Sequence, residues 1–466
     1  MPFNSFLDYP LTWKPDKEKL TRPIYKSIAD AMERDIASGL LPVGTKLPPQ
    51  RELANFLDIN FTTVTRAYKI CELRGLISAV TGSGTFVSPN ATRSISISTE
   101  LSPDHCINLG FVSSFESCND LIAPVVKSIF SKRQFSDLAT YDYPSGMPHQ
   151  KNAGIAWMDK LGLHTDPKHM AIVAGAQNGL ALSLIGLFEP GDRIAVDAYT
   201  FANFIELAQM YHLQLVPVDG DLEGMSAKSL DSQCKRNKIH GIFLMPSCTN
   251  PTNIMISEKR KSELAEIIKK HGLILIEDDF HAFMTAGIVE DYKGPLSRFL
   301  PDQSVYLCST AKSICSGLRI AYMVFPENFR DKLLNTIYNI NVKTSSIDAE
   351  ITTELIVSGK ANEILAKKYE LASHANDIFY SYFPEAPRSG HPLSFYKWMP
   401  INDNRKGIEI ENELIGLGLI VFHSDRFRAG PKSLSPFLRI ALSTVQTFDE
   451  LHRGLGTLRS WMDKMK

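Results

Sequence analysis

The stretch CSTAKSICSGLRIAY (308–322) lies between two apolar runs, SVYLCST (304–310) and YMVFP (322–326). A lysine held between a strand and a glycine-containing loop can form a Schiff base with an aldehyde. Ser309 stands three residues before Lys312 and Arg319 seven after it. A hydroxyl and a planar cation at those places suit a bound phosphate. The competing reading of Lys312 is a solvated loop charge.

Five more strand-like runs precede this stretch: AIVAG (171–175), DRIAVD (192–197), QLVPVD (214–219), GIFLMP (241–246) and LILIEDD (273–279). Helix-length segments such as QNGLALSLIGLF (177–188) and SEKRKSELAEIIKKHG (257–272) lie between them. That alternation predicts an α/β domain with a buried, mostly parallel sheet and helices on both faces. Beyond residue 345 helices alternate with shorter strands, which predicts a smaller C-terminal α+β lobe. The expected boundaries are 106–345 for the large domain and 346–466 for the small one.

Three of these runs end in residues with chemical potential. AIVAGAQNGL (171–180) passes through Gly175 into a helix beginning near Ala176 and Gln177. Helix N-termini offer unpaired N–H groups and a positive dipole end to phosphates. MPSCTNPTN (245–253) places Asn250 before Pro251 just past a strand end, where α/β folds set their ligands. A turn asparagine is the alternative reading. LILIEDDF (273–280) ends an apolar strand in Glu277, Asp278 and Asp279. Buried acids need a cationic partner, such as a pyridinium nitrogen or a metal ion. No histidine or carboxylate cluster elsewhere completes a metal site, so no metal is expected.

The N-terminal 90 residues follow a different plan. Ile24, Ile28, Met32 and Ile36 recur every four residues and predict a helix over 23–38. LLPVGTKLPP (40–49) interrupts it, and Pro49 opens a second helix over 50–57 with Leu53, Ala54 and Leu57 facing inward. A third helix is predicted over 62–74, stopped by Gly75. Two strands then flank the turn at 81–84, with Leu76, Ile77, Phe86 and Val87 as apolar anchors. Three helices and a glycine-tipped hairpin make a winged helix-turn-helix, expected over 20–88. Thr62, Thr63, Thr65 and Arg66 begin the third helix, where base edges are read. Arg51 begins the second, where a phosphate is gripped, and Ser83 tips the wing. Each taken alone also fits a solvated surface residue. Residues 89–105 are rich in Ser, Thr, Asn and Pro and read as a linker, or as an extended arm on a neighbouring domain.

The series LPPQRELA, TTVTRAY, RGLI and TGSGTFV resembles the DNA-binding domain of GntR-type regulators. The four segments around Lys312, Asp278, Asn250 and Gly175, in that order from the C-terminal side, resemble fold-type I PLP (pyridoxal 5'-phosphate) enzymes of aminotransferase type. Their fusion resembles the MocR subfamily. That resemblance implies PLP as cofactor, with Lys312 as its aldimine lysine and Asp278 as partner of the ring nitrogen. It implies Asn250 on the ring hydroxyl, Phe201 stacked on the ring, and Ala176, Gln177, Ser309 and Arg319 around the phosphate. It also implies that Arg439 in FLRIAL takes an effector carboxylate, and YDYPSG (141–146) is similar to the glycine-containing loop on the substrate side. The partners implied are a double-stranded DNA operator, PLP or an amino-acid-like effector, and a second copy in a head-to-tail, domain-swapped homodimer.

The pattern is departed from at three places. Phe280 stands for the usual tyrosine, Asn253 for a glycine and Ala311 for a serine. These substitutions touch turnover more than cofactor binding. The readings to separate are therefore a PLP-dependent regulator, a working aminotransferase carrying a DNA-binding domain, and a DNA-binding dimer that has lost PLP.

Composition agrees with this assignment without driving it. A net charge of −1 over 466 residues argues against nucleic acid along the whole chain but leaves room for one small module. The first 90 residues carry eleven basic and nine acidic side chains, a mild excess. Seven scattered cysteines without CxxC spacing fit a reduced, cytoplasmic compartment. No secretory signal and no membrane span are expected.

Overall fold

A computed structural model describes residues 11–42, 44–80, 84–88, 91, 97, 105–132, 135–429 and 435–464. The chain divides into two compact units, the smaller drawn mainly from the first 96 residues.

In the smaller unit, helices α1 (Ile24–Ala37), α2 (Gln50–Leu57) and α3 (Phe61–Leu73) precede strands β1 (Ile77–Val80) and β2 (Gly84–Val87). Ile28, Met32, Ile36, Leu53, Ala54, Leu57, Val64, Ala67 and Tyr68 form one buried core with Leu76, Ile77 and Val87. The turn between α2 and α3 is set by Asp58, which holds the left-handed conformation at φ 54°. Asn60 then caps α3, its Oδ1 accepting from Thr62 N at 2.8 Å. This cap starts the helix at Phe61, one residue earlier than periodicity predicts. β1 and β2 pair antiparallel from Ile77↔Val87 to Val80↔Gly84. The wing tip with Ser83 lies outside the described residues, as does the expected linker except at 91, 97 and 105.

The larger unit contains a seven-stranded sheet formed by β3 (Met170–Val173), β4 (Arg193–Asp197), β5 (Gln214–Val218), β6 (Gly241–Leu244), β7 (Ile274–Asp278), β8 (Ser304–Ser309) and β9 (Ala321–Val324). All seven correspond to apolar runs in the sequence. Their order is β3-β9-β8-β7-β6-β4-β5. The pairs β8/β7, β7/β6 and β6/β4 are parallel, while β9 runs antiparallel between β8 and β3. The C-terminal ends of the parallel strands therefore converge on one edge, where Asp278 and Ser309 end their strands. Helix α4 (Ala176–Leu187) follows β3, and α5 (Lys360–Tyr382) leads into the C-terminal lobe.

That lobe is built on an antiparallel sheet in the order β10 (Tyr396–Pro400), β12 (Phe437–Ala441), β11 (Phe422–His423). A short strand at Ile107–Asn108 pairs in parallel with Leu419–Ile420. The first residues after the expected linker therefore join the C-terminal lobe before the chain enters the large domain.

Candidate functional site

Lys312 follows β8 in the short turn before β9. Its Nζ donates to the backbone oxygens of Val112 at 2.5 Å and Ser113 at 2.9 Å. Burial first, and the nearby ammonium of Lys368 next, push its pKa down to about 7. A lysine in that range has a reactive fraction of free amine near neutral pH.

Asp278 ends β7. It is buried, and its Oδ1 has no hydrogen-bond partner. Burial, then the charge of Asp279, raises its pKa to about 7. The two neighbouring acids are engaged elsewhere. Glu277 accepts from Leu296 N at 2.9 Å and Ser297 N at 2.7 Å, and Asp279 Oδ1 accepts from Ser247 N at 3.1 Å. Asp279 Oδ2, like Asp278 Oδ1, is buried without a hydrogen-bond partner.

Arg439 lies on β12 and is 1% exposed. Its Nη1 donates to Asn250 Oδ1 at 3.0 Å and its Nη2 to Gly110 O at 2.5 Å, while Nε has no partner. Rings of Phe427, Phe422 and Tyr396 surround the guanidinium at 4.7–5.8 Å. Burial lowers its pKa to about 9. No carboxylate among the described residues pairs with it. A buried cation of this kind is costly unless an anion arrives.

Gly175 precedes α4 at φ 82°, and no side chain caps the first turn of Ala176 and Gln177. A Cβ at Gly175 would stand 2.5 Å from Nη2 of Arg319, so only glycine lets that guanidinium lie over the helix end. Ser309 Oγ accepts from Ala311 N at 3.2 Å. The helix end, Ser309 and Arg319 thus form a cationic, donor-rich corner suited to a phosphate. Phe201 is half-buried just before the helix Ala202–Met210.

The loop carrying Asn250 is secured from below by Tyr396, whose hydroxyl lies 3.1 and 3.0 Å from the carbonyls of Cys248 and Thr249. Asn253 takes φ 62° in place of the expected glycine, and its carbonyl and side-chain oxygens both accept from His391 N. Motif reading missed Tyr396, Lys368 and the 112–116 segment. Lys368 did leave a trace: with Ala361, Ile364, Ala372 and Ala375 it occupies the buried face of α5, a position normally apolar.

In the smaller unit, Phe61, Thr62, Thr65, Arg66 and Lys69 are exposed on α3, and Arg51 is exposed on α2. Thr63 is half-buried. Thr62 Oγ1 donates to Asn60 Oδ1 at 2.7 Å, and Thr65 Oγ1 lies 2.9 Å from Gln50 Oε1. Arg66 stacks on Tyr25 at 4.5 Å and Arg51 sits 5.8 Å from the ring of Phe61. Arg74 holds the end of α3 to α1 through Asp30 at 2.7 Å and Glu33 at 2.6 Å.

Residues 24–87 match the family "Bacterial regulatory proteins, gntR family", and residues 107–376 match "Aminotransferase class I and II". The uncharacterized HTH-type transcriptional regulator YdeF of Bacillus subtilis (strain 168) is 33% identical over 468 residues, covering 100% of both chains. The chain belongs to the MocR subfamily of GntR-type regulators. A second Bacillus subtilis regulator, YdfD, is 24% identical over 76% of this MocR chain and 78% of its own. The crystal structure of an archaeal alanine:glyoxylate aminotransferase superposes with a TM-score of 0.71 at 20% identity, covering 78% of this chain and 91% of that one, which shows a shared fold. This MocR chain is thus a DNA-binding transcriptional regulator with an aminotransferase-like domain, and pyridoxal phosphate is that family's cofactor. The residues present fit the group. An unpartnered buried carboxylate suits a ring cation, a largely buried lysine suits an aldehyde, and the corner at Gly175 suits a phosphate. Among the described residues no helix is long and apolar enough to cross a membrane.

Proposed function

We propose that this MocR-type regulator binds a double-stranded DNA operator and responds to PLP, or to an amino-acid-like effector, through Lys312. The observation that carries this reading is a matched pair of unmet buried charges: Asp278 without a cation and Arg439 without an anion. When bound, PLP supplies an aldehyde and an electron-withdrawing ring. Asp278 would keep the ring nitrogen protonated. Asn250, whose Oδ1 is taken by Arg439, would turn its amide nitrogen toward the ring hydroxyl. Ala176, Gln177, Ser309 and Arg319 would hold the phosphate, and Phe201 would cover the ring. Arg439 would take the effector's carboxylate in a bidentate pair.

On the DNA side, Arg51 would hold a phosphate, the wing residue Ser83 would touch an adjacent groove, and Thr62, Thr63, Thr65 and Arg66 would face base edges. Tyr141, Tyr143, Tyr338, Ile340 and Val342 are 47–82% exposed, which supports a homodimer; the family resemblance makes that dimer head-to-tail and domain-swapped. Lys343 ties two of these groups together by donating to the carbonyls of Thr140 and Asp142. Such a regulator would work in the cytoplasm.

The test is an absorbance spectrum after adding PLP, repeated with borohydride and with a panel of amino acids. The expected result is a band near about 410–430 nm that borohydride abolishes and that Lys312→Ala lacks. One amino acid should shift it stoichiometrically without continuing keto-acid production. Sustained keto-acid production would replace the regulator reading with an aminotransferase. No band would overturn the role of Lys312.

A further inference from the structure

Lys368 is a second buried lysine next to the first. It lies on α5 at 0% exposure, and its Nζ donates to Ser114 Oγ at 2.7 Å, Ile314 O at 2.8 Å and Lys312 O at 3.1 Å. No carboxylate among the described residues forms an ion pair with it. Three neutral acceptors exhaust the donors of an ammonium and orient it without neutralising it.

The partners of the two lysines interlock. Lys312 Nζ grips the carbonyls of Val112 and Ser113, while Lys368 grips the adjacent Ser114 side chain and the carbonyls on either side of Ser313. Ser443 Oγ donates to Ser113 O at 3.0 Å, fixing the same segment from the C-terminal lobe. The lysine turn, the 112–114 segment and α5 are therefore joined by one buried charge.

We propose that Lys368 is a positioning residue for Lys312, fixing the backbone of its turn and setting a positive charge beside its side chain at neutral pH and below. This inference rests on Lys312 being the reactive lysine. Its consequence is electrostatic. Neighbouring like charges in a poorly solvated site disfavour the second charged form, so Lys312 spends more of its time as the free amine. The other groups facing the pair are Glu116, which opposes the effect, Arg319, Arg439 and His281, and the thiols of Cys118 and Cys315. Glu116 is spread over three other donors, accepting from Ser113 Oγ at 2.8 Å, Ser316 Oγ at 2.7 Å and Asn119 Nδ2 at 2.6 Å. It is also exposed, so its counteraction is screened.

The experiment is trace acetylation of the full-length protein, freed of PLP, with acetic anhydride from pH 5 to 10. Peptides carrying Lys312 and Lys368 are quantified by mass spectrometry. In the unaltered chain Lys312 should gain reactivity at lower pH than Lys368. Lys368→Met should raise the Lys312 midpoint by about one pH unit, roughly a fivefold loss of free amine at neutral pH. Lys368→Arg should restore most of the original midpoint. An unmoved midpoint in a folded Lys368→Met protein overturns the proposal. So does a wild-type Lys368 that loses its proton before Lys312, a result that needs no variant to fold. Because no PLP is present, a failure of PLP capture would count against the cofactor reading and leave this measurement intact.

Discussion

In the proposed site, Asp278 sets function against stability at a single residue. Its carboxyl has an ordinary pKa of 3.8, raised to about 7 in the fold by burial and by Asp279. Below about pH 4 it is protonated in the folded and unfolded chain alike, and its burial costs little. Between about 4 and 7 the unfolded chain ionises first, so stability falls through that window and the loss is complete above 7. Asp278→Asn should therefore stabilise the PLP-free protein at pH 8 by on the order of 1–3 kcal/mol. The gain should fall to less than half of that at pH 5 and vanish only below about pH 4, and PLP affinity should drop at least tenfold. Thermal melts at the two pH values check the first point; an equal gain at both would mean that the carboxyl is not held in its neutral form. The acid at this strand end was legible because an apolar run that stops in Glu-Asp-Asp is rare without a partner. Lys368 was not, since Lys367 beside it is chemically identical and exposed, and only the three-dimensional course of α5 separates them. The pairing of Arg439 with Asn250, 189 positions apart, was equally hidden.

Among the secondary-structure elements, the helix end at Gly175 makes the sharpest demand. Alanine there meets both a left-handed φ of 82° and the guanidinium of Arg319 at 2.5 Å. Gly175→Ala should displace Arg319 and weaken PLP binding about tenfold or more. Pyridoxal, which lacks the phosphate, should bind wild type and variant alike; parallel spectral titrations decide this, and equal losses for both ligands would place the damage outside the phosphate corner. In the smaller unit, Asn60→Ala removes the cap of α3 and should cost about 1 kcal/mol. DNA affinity should fall with it, as gel shifts at matched folded fraction would show. The strands of the large sheet were readable because parallel strands buried on both faces become continuous apolar runs. Ile107–Asn108 was not readable, for two residues carry no periodicity and their partner lies more than 300 positions later.

On the proposed reading the whole molecule must join these elements, because a response to PLP requires the cofactor site and the DNA-binding surface to share free energy. The two-part architecture was legible from the change of period alone, from helical spacing before residue 75 to alternating strands and helices beyond 170. No comparable pattern in the sequence encodes coupling, which requires PLP or the effector to favour one arrangement of the protein over another. Lys312→Ala isolates that requirement. The substitution is remote in sequence from α3 and leaves Arg51, Thr62, Thr65 and Arg66 untouched, so DNA affinity without PLP should stay within about twofold of wild type, an energy difference below roughly 0.5 kcal/mol. Adding PLP to the wild type should change that affinity by about fivefold or more, the usual lower range of a coupling energy. The variant should show no such change. Fluorescence anisotropy with labelled duplex, at fixed salt because phosphate contacts are salt-dependent, measures both. A PLP response that persists in Lys312→Ala would mean that occupancy of the phosphate corner carries the signal without a covalent bond. Loss of DNA binding before any PLP is added would instead make Lys312 a structural member of the site, and its hydrogen bonds to Val112 and Ser113 would be the place to look for the reason.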